Sequence, residues 1–76
     1  RFATKFKDFS QVITYTFNGT SMRSSELTVE QLVHQEIGHD TGVAVAINAA
    51  VVPRSQWSRA ICDNDSVEVL TAIQGG

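Results

Sequence analysis

The residues of this chain best placed to take part in chemistry stand at its end. Val67-Glu68-Val69-Leu70-Thr71-Ala72-Ile73-Gln74-Gly75-Gly76 runs from an alternating, β-branched stretch into two glycines and a carboxylate. The alternation and the Val, Ile and Thr content predict a strand. Gly75 and Gly76 carry no Cβ, so they gain steric access at a cost in order. Such a tip suits threading into a narrow active site on another protein, with the Gly76 carboxylate as the reacting group. The other reading of the same residues is a frayed chain end, where disorder concentrates.

Other reactive side chains are sparse. Cys62 is the single cysteine, so no internal disulfide forms and a reducing cytoplasm is the expected compartment. A nucleophilic Cys62 needs a base beside it. The two histidines, His34 and His39, lie far away in sequence, on an expected helix and loop. Cys62 is therefore expected to be a core or half-buried apolar side chain. His34 and His39 are five residues apart, a poor spacing for sharing a metal from a helix, and no cysteine or carboxylate joins them convincingly. No metal site, bound cofactor or catalytic constellation is expected.

With 76 residues the chain makes one domain with a modest core. No apolar run is long enough to span a bilayer, and Arg1 and Lys5 are not followed by the apolar segment of a signal peptide. The net charge is −2, and it is unevenly spread. Arg1, Lys5, Lys7 and Asp8 fall in the first eleven residues, which leaves three bases against seven acids, a net of −4, in the remainder. An acidic body without a basic stripe argues against nucleic acid and suits a partner with a basic docking surface.

The elements that must position the tail follow from periodicity. Residues 1–11, with Phe2, Phe6 and Phe9 at helix-like spacing, read as an N-terminal arm or a cloning remnant, and 12–76 as the domain, with a flexible tail at 74–76. Val12–Phe17 alternates, with Ile13, Tyr15 and Phe17 on one face, and predicts a half-buried strand. Asn18-Gly19 is a strong hairpin signal. Thr20–Arg23 is then a short return strand at an edge. Leu27–Gly38 predicts the one helix: Thr28 and Gln31 form a capping box, Leu27 and Leu32 a hydrophobic staple, and Gly38 the stop. Val29, Leu32, Val33 and Ile37 make its apolar stripe. Val43–Ile47 predicts a central strand nearly buried on both sides. Val51-Val52 is a two-residue strand stopped by Pro53. A helical turn from Pro53 sends Trp57 and Ile61 to the core, and Asp63–Ser66 forms a turn before the last strand. In that strand Val67, Val69 and Thr71 are expected inward, with Leu70 and Ala72 outward. This order predicts an α+β, β-grasp (ubiquitin-like) fold: a mixed sheet of four to five strands crossed by one helix, with the first and last strands parallel at its centre.

Three stretches carry a more specific likeness. Val43-Ala44-Val45-Ala46-Ile47-Asn48, then Val51-Val52-Pro53-Arg54-Ser55-Gln56-Trp57, then Glu68–Gly76 resemble the ThiS family, the small sulfur-carrier proteins of thiamine biosynthesis. Asn18-Gly19 and the helix opening at Thr28 also fall where that family has them. The resemblance covers roughly Val12 to Gly76. It departs at Asn64-Asp65, where family members usually have Gly-Asp, and Asn tolerates the same left-handed conformation. It also departs at Cys62, where an apolar or variable residue is common.

The resemblance implies a carrier and substrate rather than an enzyme. A ubiquitin-activating-enzyme-like adenylyltransferase would use ATP to couple the Gly76 carboxylate to AMP. A sulfur donor, typically a cysteine desulfurase persulfide, would displace AMP and leave a thiocarboxylate for thiazole synthase. Gly75 and Gln74 would enter the partner's active site, and Leu70, Ala72 and Ile73 would form an apolar docking patch beside the tail. The alternatives are a sulfur carrier for molybdopterin or another sulfur pathway, a protein-conjugating modifier, and a passive ubiquitin-like interaction module.

Overall fold

Asn18 and Gly19 hold φ of 50° and 85°, the pair of positive values that a type I′ turn requires. They join β1 (Val12–Phe17) to β2 (Thr20–Ser25) in the structure, a computed structural model that describes residues 12–72. The expectations for residues 1–11 and for Ile73, Gln74, Gly75 and Gly76 lie outside the described residues. β2 is longer than its composition suggests, because every one of its residues from Thr20 to Ser25 pairs with β1. The ladder, rather than β propensity, sets its length.

Helix α1 (Val29–Glu36) starts where the capping box places it. The Gln31 amide donates to Thr28 Oγ1 at 3.1 Å, and the Thr28 amide to Gln31 Oε1 at 2.8 Å. Two further free amides of the first turn find carbonyls across the fold: Val29 N–H donates to Arg59 at 3.1 Å and Glu30 N–H to Trp57 at 2.9 Å. Gly38, with φ of 94°, ends the helix and donates to the Val33 carbonyl at 3.2 Å. Val29, Leu32 and Val33 are fully buried, and Ile37 packs at the core's margin.

β3 (Val43–Ile47) turns through Asn48-Ala49 into β4 (Ala50–Val51). β4 lies one residue before its expected position. Val52 leaves the strand to enter the core, although its amide still reaches the Val45 carbonyl at 2.9 Å. Pro53, at φ −62°, opens a 3₁₀ turn (Arg54–Gln56), and Trp57 and Ile61 are buried as expected. The Trp57 indole N–H donates to the Val52 carbonyl at 3.1 Å, so the Pro-Arg-x-x-Trp segment closes on itself beneath the start of α1.

β5 (Ser66–Thr71) runs parallel to β1 and antiparallel to β3 in a sheet of order β2-β1-β5-β3-β4. The two-layer β-grasp arrangement read from the sequence is thus present. One sheet face meets α1, with Ile13, Tyr15, Val45, Ile47, Val67 and Val69 in the core. Among the described residues the other face is open, which corrects the expectation for β3. Ala44 is exposed and Ala46 half-buried, since only one side of the sheet carries a helix. Among the described residues no helix is long and apolar enough to cross a membrane.

Candidate functional site: the end of β5 and the open sheet face

Strand alternation divides β5 cleanly at first. Val67 and Val69 are inward and buried, whereas Glu68 and Leu70 are outward and exposed. Thr71 was expected inward but is exposed. The last β1 partner is Phe17, opposite Val67, so β5 has outrun β1 by four residues when it reaches Thr71. Ala72 is also exposed, and its amide donates to the Gly42 carbonyl at 2.7 Å. Gly42 holds φ of 71° and lies close enough that a Cβ there would stand 3.5 Å from Ala72 Cβ.

On the open face, Leu70 stands opposite Ala44, Glu68 opposite Ala46, and Val51 on the far side of Ala46. These side chains, with Val45, line a shallow apolar groove. Leu70 is 71% exposed and Val51 78%. Covering two such side chains gains about 1.5–3 kcal/mol each, less what is already buried. Of the three residues predicted to form a docking patch, the structure therefore places Leu70 and Ala72 on this surface. Ile73 lies beyond the described residues. Sequence reasoning missed Ala44 and Ala46, read as nearly buried, and Val51, read only as part of a short strand.

β5 is held by two asparagines in left-handed backbone. Asn48, φ 53°, donates its backbone amide to the Ser66 carbonyl at 2.8 Å and accepts the Ser66 amide at Oδ1, 2.9 Å. Its Nδ2 reaches Asp65 Oδ1 at 3.0 Å. Asn18 makes corresponding contacts further along: its backbone amide reaches the Val67 carbonyl at 2.9 Å, Oδ1 accepts from the Val69 amide at 2.8 Å, and Nδ2 reaches the Val69 carbonyl at 3.2 Å. Only the turn roles of these asparagines were legible.

Cys62 is exposed, which corrects its expected burial. The buried residue of this loop is Asp65, whose Oδ2 accepts the Cys62 amide at 2.8 Å. That bond, with the Asp65 amide on the Cys62 carbonyl at 3.1 Å, closes a tight turn and leaves the thiol outside. Asn64 in the same turn holds φ of 72°, the left-handed conformation expected for it.

The histidines do not pair with each other in a metal cluster. His34 Nε2 lies 3.9 Å from Glu30 Oε2 and 3.7 Å from Asp40 Oδ2. The same Asp40 oxygen accepts from Arg54 at 2.5 Å, and the Arg54 guanidinium stacks 4.8 Å from the centre of the Trp57 ring. These groups are exposed or half-exposed. Arg54 and Asp40 make a surface ion pair that ties the 3₁₀ turn to the loop after α1.

Geometry alone gives an adaptable surface beside a departing strand, and comparison with known proteins supplies its context. The model of the ThiS family matches residues 10–76, which takes in the whole fold and the terminal Gly75-Gly76. The chain belongs to the ThiS family. It is 37% identical over 62 residues to the sulfur carrier protein ThiS of Escherichia coli (strain K12), covering 79% of this chain and 94% of that protein. A crystal structure of the thiamine biosynthesis protein ThiS from Geobacter metallireducens superposes with a TM-score of 0.69 at 26% identity, covering 84% of this chain and all of the other. Nine residues of the N-terminal segment fall outside the family match.

Proposed function

We propose that this protein is the sulfur carrier of a thiamine (thiazole) pathway, a cytoplasmic substrate of partner enzymes rather than an enzyme itself. The observation that carries the reading is the family match, which runs unbroken through Gly76. The relative named a sulfur carrier protein is aligned over nearly its whole length.

A carboxylate is a poor acyl donor, so the Gly76 carboxylate must first be activated. An oxygen of the carboxylate attacks the α-phosphorus of ATP in a ubiquitin-activating-enzyme-like adenylyltransferase, and pyrophosphate leaves. The terminal sulfur of a persulfide, from a cysteine desulfurase or another donor, then attacks the acyl carbon and expels AMP. Thiol cleavage of the resulting acyl disulfide frees the thiocarboxylate, which thiazole synthase consumes. Gln74 and Gly75 pass through the partner's channel, where a Cβ at position 75 would obstruct passage. Leu70 and Ala72, with Ile73 beyond them, dock the carrier through the open sheet face. No acid or base is required of the carrier in this scheme.

The acceptor is tested by supplying the thiocarboxylate form to purified thiazole synthase and, separately, to molybdopterin synthase components lacking their own carrier. Sulfur transfer to the thiazole product alone supports the assignment. Transfer only to the molybdopterin acceptor moves the protein to a different pathway.

A further inference from the structure

We infer that Asn18 is a positioning residue: its side-chain amide takes the place of a strand at Val69 and holds the β1-side edge of β5 beyond the end of β1. A strand residue points its N–H and C=O to the same neighbour, and successive residues alternate between neighbours. Val67 faces β1, because its carbonyl accepts from the Asn18 backbone amide. Val69 faces the same way, but β1 has ended at Phe17 and among the described residues no strand stands there. Both backbone groups of this buried residue instead go to one side chain, with Oδ1 accepting at 2.8 Å and Nδ2 donating at 3.2 Å. A carboxamide offers an acceptor oxygen and a separate donor nitrogen side by side, as a strand neighbour's backbone would.

On its other edge β5 is paired with β3 up to Thr71, and the Gly42 carbonyl takes the Ala72 amide. Among the described residues Val69 is therefore the last point of β5 held from the β1 side. The next residue is Leu70, the most prominent side chain of β5 on the open face. Fixing Val69 fixes the direction in which Leu70 is presented to a partner. This consequence rests on the carrier reading, whereas the bracket itself does not.

Asn18→Gly separates the bracket from the turn, since glycine accepts φ of 50° without strain and removes only the side chain. The measurement is amide hydrogen exchange at Val69, compared with Leu32 and Val33 in the buried helix as reporters of global opening. The bracket predicts Val69 exchange faster by about tenfold in Asn18→Gly than any change at Leu32. Asn18→Asp retains the acceptor but sets a carboxylate against the Val69 carbonyl, and is expected to accelerate exchange as well. Unchanged Val69 exchange in Asn18→Gly, relative to Leu32, would reduce Asn18 to a turn residue and overturn the inference.

The second measurement is adenylation by the activating enzyme, where Asn18→Gly is expected to raise KM several-fold with kcat retained, as for a misplaced docking element. Faster exchange with wild-type KM overturns the role in presenting Leu70 to the partner. If the wild-type chain is not adenylated at all, the carrier reading fails, and the bracket is still decided by exchange.

Discussion

Ala49 holds φ of 70° in the turn between β3 and β4, beside Asn48 at 53°. The geometry calls for glycine at the second position, and a left-handed alanine costs about 1–2 kcal/mol. Ala49→Gly is expected to raise stability by about 1 kcal/mol, read as a higher urea midpoint with an unchanged slope. Tyr15 presents a second local conflict. Its ring fills the core, yet the buried hydroxyl has no hydrogen-bond partner among the described residues. Removing an unsatisfied buried polar group recovers part of its desolvation cost, so Tyr15→Phe should be neutral or stabilising by up to about 1 kcal/mol. A loss of more than that in the same denaturation experiment would mean that the hydroxyl has a partner. Neither conflict was legible in the sequence. Ala49 is an ordinary residue until its φ is known, and Tyr15 sits where alternation rightly puts a core side chain. Asp65 and Cys62 show the same limit, because a buried carboxylate that gathers local amides decided which of the two faces water.

The strands are the elements most readable from sequence, and the reason is burial on one face. β1 and β3 begin and end where the alternation does, at Val12–Phe17 and Val43–Ile47. The helix was equally readable because its cap, staple and stop are local. β2 was not, since its length comes from pairing with β1. The open face of the sheet was hidden for a related reason. Ala44 and Ala46 look like core, and only the absence of a second helix layer among the described residues shows that they are not. This face carries the docking prediction. Leu70→Glu places a charge where an apolar contact is proposed, and should weaken binding to the activating enzyme by tenfold or more (about 1.4 kcal/mol). Because Leu70 is 71% exposed, the melting temperature should move by no more than about 2 °C. Calorimetric titration and a thermal melt check the pair of outcomes. Wild-type affinity would remove Leu70 from the interface.

At the scale of the molecule, charge and the tail matter more than the core. Outside the first eleven residues the chain carries three bases against seven acids. If the partner's docking surface is basic, complementary charge speeds association and salt screens it. The association rate with the activating enzyme is expected to fall several-fold between low and physiological salt, with the dissociation rate little changed. Stopped-flow measurements at several ionic strengths check this. The proposed reacting group, the Gly76 carboxylate, was legible through the family resemblance of the whole chain, since two terminal glycines taken alone read equally well as a frayed end. Its supports were legible only as turns, since Asn18 and Asn48 bond to β5 across 51 and 18 residues of sequence. The most direct test of the carrier assignment is the intact mass of the full chain after incubation with ATP, a matching adenylyltransferase and a sulfur source. The account predicts a gain equal to exchanging one oxygen for one sulfur, abolished when Gly76 is deleted. An unchanged mass, with an activating enzyme shown to be active on its own carrier, would contradict it.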